Sequence, residues 1–195
     1  MNKRIKIFFA VLAFVVIMSI GIYYFSHGRN LSKISSAVGE GMATDTAQII
    51  EYDPPQNDIA PTGSHTYINS TYGFSLQYPD GLAVEDRTEA ANGRTITFES
   101  ADGSQGFQIF ITPYVQTQID KSRIDLDTHG TAEGTPTEIV LQNGTHALAF
   151  FSSDPILGRL REVWFLDGGY LYEVTTYDTL DSWLASIMQT WKFDS

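Results

Sequence analysis

Residues 162 to 191 read EVWFLDGGYLYEVTTYDTLDSWLASIMQTW, and this stretch decides the fold. Glu162 to Leu166 and Tyr170 to Tyr177 are rich in aromatic and β-branched residues, which suit a pleated, half-buried surface. Between them Asp167-Gly168-Gly169 offers the short polar side chain and the glycines that a tight reversal requires, so the pair predicts a hairpin. The period then changes. Leu180, Leu184, Ile187, Met188 and Trp191 recur every 3.6 residues and form one apolar stripe along a helix. Asp178 or Thr179 stands where a side-chain oxygen can cap its first turn. Such a stripe must be covered, and a sheet face is the natural partner.

Working outward, the pattern repeats. Glu138 to Leu141 and Thr145 to Phe151 flank Asn143-Gly144, a strong short hairpin signal. Thr95 to Glu99 alternates, with Ile96 and Phe98 on one face. Asp102-Gly103 reverses the chain, and Phe107 to Tyr114 returns with Phe107, Ile109 and Ile111 aligned. Thr66 to Asn69 and Phe74 to Tyr78 flank Tyr72-Gly73, and Pro79-Asp80-Gly81 closes the second of them with turn chemistry. A polar helix over Gln118 to Asp127, with Ile119 and Leu126 as apolar contacts, separates the two β blocks. The expected order is β-β-β-β-α-β-β-β-β-α, an α+β domain with an antiparallel sheet and helices packed on its faces.

Two segments carry a resemblance. Tyr72-Gly73-Phe74-Ser75-Leu76-Gln77-Tyr78-Pro79-Asp80-Gly81 resembles the opening signature of PsbP-like domains, in which an aromatic strand runs into a Tyr-Pro turn. Leu180 to Phe193, with Ile187-Met188-Gln189-Thr190-Trp191-Lys192-Phe193, is similar to the terminal helix of the same group. The two motifs bracket about 130 residues in matching element order. The resemblance implies an α-β-α sandwich and a non-catalytic role, since the founding member is an extrinsic subunit of photosystem II on the lumenal side of its membrane. It carries no metal-binding or photosystem-binding residue onto this chain. Small membrane-tethered bacterial proteins are the nearer likeness.

The amino-terminal third has a different character. Ile7 to Phe25 is nineteen residues without charge or proline, long enough as a helix to span roughly 28 Å of hydrocarbon. Lys3, Arg4 and Lys6 precede it, and Tyr23 and Tyr24 end it. The run exceeds the apolar core of a cleaved signal peptide and offers no small-x-small site, so it reads as a retained signal anchor. Residues 1–6 are then a cytoplasmic basic tail, 7–25 a single transmembrane helix, 26–65 a flexible tether and 66–195 the α+β domain. The tether carries Pro54, Pro55 and Pro61, with a short helical turn expected near Leu31 to Val38. These features predict a single-pass cell-membrane protein with an extracytoplasmic carboxy-terminal domain.

Composition limits the chemistry. The 195 residues include 12 Lys and Arg against 23 Asp and Glu, a net −11. The basic and acidic residues of 1–65 cancel, so the whole −11 falls on the domain. That charge argues against nucleic acid and anionic lipid as partners. The absence of cysteine removes disulfides, thiol catalysis and cysteine metal sites. No Gly-x-Ser-x-Gly elbow, His-Glu-x-x-His pair or phosphate loop occurs, so no enzyme class and no cofactor is indicated. Asp125-Leu126-Asp127-Thr128-His129-Gly130 begins like a calcium loop, but Pro136 stands where its bidentate glutamate belongs, and a solvated helix end is the simpler reading. Asn69-Ser70-Thr71 and Asn143-Gly144-Thr145 match the glycosylation pattern and serve equally as turns.

Arg159, Arg161 and Trp164 form the candidate binding surface. The arginines are placed to grip an anionic group or to protect a sheet edge, and Trp164 faces away from Phe165 in any strand. The first functional expectation is a non-catalytic module that binds another envelope protein. The alternative is a small-ligand or carbohydrate-binding module, with a hydrolase third. A deep pocket with convergent polar groups would favour the ligand reading, paired carboxylates with shifted proton affinity the enzyme, and one exposed apolar patch the protein partner.

Overall fold

A computed structural model describes residues 63 to 194. The anchor, the tether before Gly63 and the helical turn expected near Leu31 lie outside the described residues. Among those described, no helix is long and apolar enough to cross a membrane.

Ten strands and two helices follow in the order β1 (Ser64–Asn69), β2 (Phe74–Pro79), β3 (Leu82–Thr88), β4 (Arg94–Ser100), β5 (Gly106–Pro113), α1 (Lys121–Asp127), β6 (Ala132–Val140), β7 (His146–Asp154), β8 (Gly158–Asp167), β9 (Tyr170–Tyr177), α2 (Asp181–Met188) and β10 (Lys192–Phe193). The fold is mostly antiparallel β-sheet with few helices. Seven strands make the large sheet in the order β3-β4-β5-β9-β8-β7-β6, and β1-β2-β10 make a small one.

Alternation assigns the faces of the large sheet. Ile96, Phe98, Phe107, Ile109, Ile111, Val163, Phe165, Tyr172 and Val174 share one face, under α2 and the small sheet. Leu184, Ile187, Met188 and Trp191 supply the helical stripe to this core, and Phe74 and Leu76 the strand side. Aromatic rings fill it. Phe74 stacks on Trp191 at 4.5 Å, Phe98 on Phe107 at 4.3 Å and Phe165 on Tyr172 at 5.0 Å. Thr190 Oγ1 accepts from the Gln77 amide at 2.8 Å, which ties the end of α2 to β2. The opposite face carries a smaller cluster of Tyr114, Ile124, Phe150, Trp164 and Leu171, in which Ile124 is the anchor of α1.

Several expectations need correcting. The chain has five strands before α1 and not four, because Leu82–Thr88 is a strand. Leu82 and Val84 pack on the core, while Glu85, Asp86 and Arg87 are exposed at the sheet edge, where Asp86 pairs with Arg94. β6 begins at Ala132 and not at Glu138. It carries Pro136 and a register shift between Glu133 and Thr137, with Gly134 at φ 69°, all tolerated because β6 is the other edge. α1 starts at Lys121 and not Gln118, where the Asp120 carboxylate accepts from the Arg123 amide at 2.8 Å. Neither Asp178 nor Thr179 caps α2. A 3-10 turn over Asp178–Leu180 leads in, and Leu180 stands at the cap position without a side-chain bond. The final two-residue strand β10 is also new, since two residues carry no period.

Candidate functional site

Arg159 and Arg161 do not share a surface with Trp164. In β8 they point to the α2 face, whereas Trp164 points to the opposite face, as alternation requires. Both arginines already have partners. Arg161 Nε lies 3.0 Å from Asp181 Oδ1 in the first turn of α2, and Arg159 Nε donates to Glu133 Oε2 at 2.8 Å. Their guanidinium carbons sit 3.8 Å (Arg159) and 4.7 Å (Arg161) from the centre of the Phe151 ring. β8 is an interior strand, so the edge-protection reading does not hold. The pair instead fastens β8 to β6 and α2.

The α1 face is different in kind. One register row crosses it from Thr97 on β4 to Gln108 on β5, Thr175 on β9 and Glu162 on β8. The next row runs through Phe110, Glu173 and Trp164. Polar side chains thus occupy the middle of this face, whereas the middle of the other is filled by Ile109, Val163, Phe165, Tyr172 and Val174. Glu162 is 5 % exposed. Its Oε1 accepts from Ser152 Oγ at 2.7 Å, and its Oε2 accepts from Thr175 Oγ1 at 2.7 Å and Trp164 Nε1 at 3.1 Å. Burial pushes this carboxyl above its ordinary range, although the three donors pull the other way.

A second acid, Glu173, faces α1. Arg123 reaches it with a terminal guanidinium nitrogen at 3.3 Å from Oε1, while the Arg123 Nε donates to Asp127. Burial raises both carboxyls, and the Asp127 charge drives Glu173 further up. For Arg123 burial opposes the charge, but Glu173 and Asp127 outweigh it. Asp125 pairs with Lys121 at 2.6 Å, so the two acids of the calcium-like motif serve different partners. Among the described residues no group of three His, Asp or Glu side chains is placed to hold a metal ion.

A cavity of about 370 Å³ opens on this face. Its floor is Gln108, Phe110, Glu162, Trp164, Glu173 and Thr175. Its walls are the end of α1 with His129 on one side and the Ser153-Asp154-Pro155 turn on the other. Gln108 is 3 % exposed, and its Oε1 has no hydrogen-bond partner. Thr95 and Thr97, on the neighbouring strand, also bury hydroxyls without a partner. A second cavity of about 550 Å³ lies beyond, lined by Ile119, Glu138, His146, Leu148 and Asp167 among others. Trp164 lines both, as the partition between them.

Of the sequence-derived site residues, Trp164 alone stands at this site. Glu162, Glu173 and Gln108 escape a motif search because nothing recurs at fixed spacing around them. One signal was present: Glu173 stands alone in the apolar and aromatic run Tyr170-Leu171-Tyr172-Glu173-Val174, where a buried strand ordinarily excludes charge. The Asn69 reading as a turn residue also fits. Asn69 is buried, and its Oδ1 accepts from the amides of Thr71 at 3.1 Å and Tyr72 at 3.2 Å.

No protein family and no curated protein matches the sequence. Among solved structures the chain is similar to the cyanobacterial PsbP (CyanoP) of Synechocystis sp. PCC 6803, determined in solution. The TM-score is 0.46 at 10% identity, covering 70% of this chain and 96% of that one. The likeness concerns the fold alone.

Proposed function

We propose that this chain is a membrane-tethered, extracytoplasmic, non-catalytic binding module that takes a small ligand into the cavity on the α1 face. The observation that carries the reading is the cavity lining, where Gln108, whose buried Oε1 lacks a partner, and the buried acid Glu162 stand among the apolar side chains Phe110, Leu160 and Trp164. Apolar walls with a few fixed polar groups are what a small-molecule site requires. The protein-partner reading has less support, because among the described residues the exposed large apolar side chains, Ile68, Val115, Val140 and Ile156, come one each from four separate segments.

Catalysis is the third reading. The paired acids Asp127 and Glu173 have raised proton affinity, which is a feature of acid-base sites. Their shared clamp by Arg123 gives them a structural task, the docking of α1. Among the described residues no histidine is hydrogen-bonded to a serine, and His65 and His146 pair with Asp80 and Glu138.

The apolar Ile7–Phe25 segment supports the tether, and the charges that flank it support an extracytoplasmic placement of the domain. The test is a small-molecule screen by NMR on the full chain in detergent micelles, following the Trp164 indole signal. Ligands are expected to shift it in the native protein and not in Leu160→Trp, whose larger ring takes up space inside the cavity. Hits that act equally on both proteins would refute the site.

A further inference from the structure

We infer, on the strength of the small-ligand reading, that the cavity takes an organic cation, with Glu162 as its counter-charge and Gln108 Oε1 as an acceptor. Glu162 is the buried acid with no cation bonded to it, and only the charge of the neighbouring Arg161 acts on it. Asp127 and Glu173 have Arg123. Arg161, next to Glu162 in the chain, points to the other face and meets Asp181. All three donors to Glu162 are neutral, two hydroxyls and an indole N–H. A carboxylate removed from water without a counter-ion is costly, and this one borders a cavity large enough for the missing partner.

The rest of the wall agrees. Gln108 lines the cavity and its buried Oε1 lacks a donor, which an occupant bearing N–H groups would supply. Asp127, Asp154 and Glu173 add acid to the lining, where His129 is the one basic side chain. A wall of this sign attracts cations and repels anions. Phe110 and Trp164 present aromatic surface, and Leu160 aliphatic surface, which suits a cationic head on a short hydrocarbon body. The occupant is therefore an amine or guanidinium compound of a few carbons, not a phosphate, a carboxylate or a neutral sugar.

The experiment uses an isosteric pair, n-propylguanidinium and n-propylurea, titrated into the isotopically labelled full chain in detergent micelles. The readout is the Trp164 indole N–H, which bonds directly to Glu162. The indole signals of Trp183 and Trp191 serve as references, because those residues lie in the other core. A saturable Trp164 shift at millimolar n-propylguanidinium is expected, with n-propylurea at least about tenfold weaker. Glu162→Gln, which keeps the side-chain shape, should cost the cation about tenfold or more and leave the urea unchanged. Equal affinity for the two probes would overturn the cation inference while the cavity reading stands. Cation binding that survives Glu162→Gln would overturn the role of Glu162. A Trp164 signal that moves with neither probe would remove both the inference and the reading it rests on.

Discussion

Exchanging Glu162 for glutamine removes a charge from the interior of the large sheet and changes almost nothing else. With the amide carbonyl in the place of Oε2, the bonds from Trp164 Nε1 and Thr175 Oγ1 are kept. The amide nitrogen then faces Ser152, whose hydroxyl rotates from donor to acceptor. What remains is a difference between two charge terms. Three bonds to a carboxylate become three bonds to an amide, each weaker by about 1 kcal/mol, and a desolvation cost of several kcal/mol disappears. The upward direction of the Glu162 proton affinity shows which of the two is larger, since burial outweighs the donors. Its native pKa exceeds the unfolded one, so its favourable contribution is complete below the unfolded value and is lost as pH rises through the native value. Glu162→Gln should therefore match the native protein near pH 4 and exceed it by about 1–2 kcal/mol near pH 8. Denaturant unfolding of the purified full chain at both pH values, followed by tryptophan fluorescence, measures this. Glu162→Leu is the companion. It orphans the fixed Trp164 N–H and should cost about 1–3 kcal/mol at both pH values. A Glu162→Gln protein less stable than the native one at pH 8, or a gap that does not change with pH, would show that the carboxylate is compensated in some other way and would refute the reasoning.

The remaining predictions use the same unfolding measurement. Glu99 is pushed up to about 7 by burial and by the charge of Glu85. The native state thus holds a proton that the unfolded state releases, and stability should fall between pH 5 and 8. Glu99→Gln should flatten that fall by about 1 kcal/mol once solvent screening of this partly exposed group is allowed for. Trp191→Ala empties the ring space between Phe74 and Phe165 and should cost about 3–5 kcal/mol, visible as a large drop in denaturation midpoint. Asp120→Ala removes the cap of α1 and should cost about 0.5–2 kcal/mol; faster amide hydrogen exchange confined to Lys121–Asp127 would locate the effect.

Much of the fold was legible one residue at a time. The Asp167-Gly168-Gly169 and Asn143-Gly144 turns fixed where strands reverse, because positive φ is a property of the local backbone. The stripe from Leu184 to Trp191 announced a helix on a sheet, because burial of one helical face is a local pattern with a necessary consequence. The opposite orientation of Trp164 and Phe165 also followed from alternation alone. Reading stopped at the edges. Leu82–Thr88 and the first half of β6 carry charge, proline and glycine that an interior strand would reject, and only a neighbour in space makes strands of them.

The binding face shows the division most clearly. Sequence by itself established the acidic domain, the apolar leader, the lack of cysteine and the order of the main elements, since each depends on residue type and on spacing of a few positions. It also placed Glu162 and Trp164 two residues apart on one side of one strand. Tertiary structure alone decided that Gln108, more than fifty residues earlier, lies in the same register row as Glu162, that Arg123 comes down on Glu173, and that Arg161 is spent on Asp181. Those pairings arise from strand order and helix docking, which are set by the summed burial of both cores. No local pattern encodes which distant partner will meet a given charge, and at Glu162 that missing information is the one that bears on function.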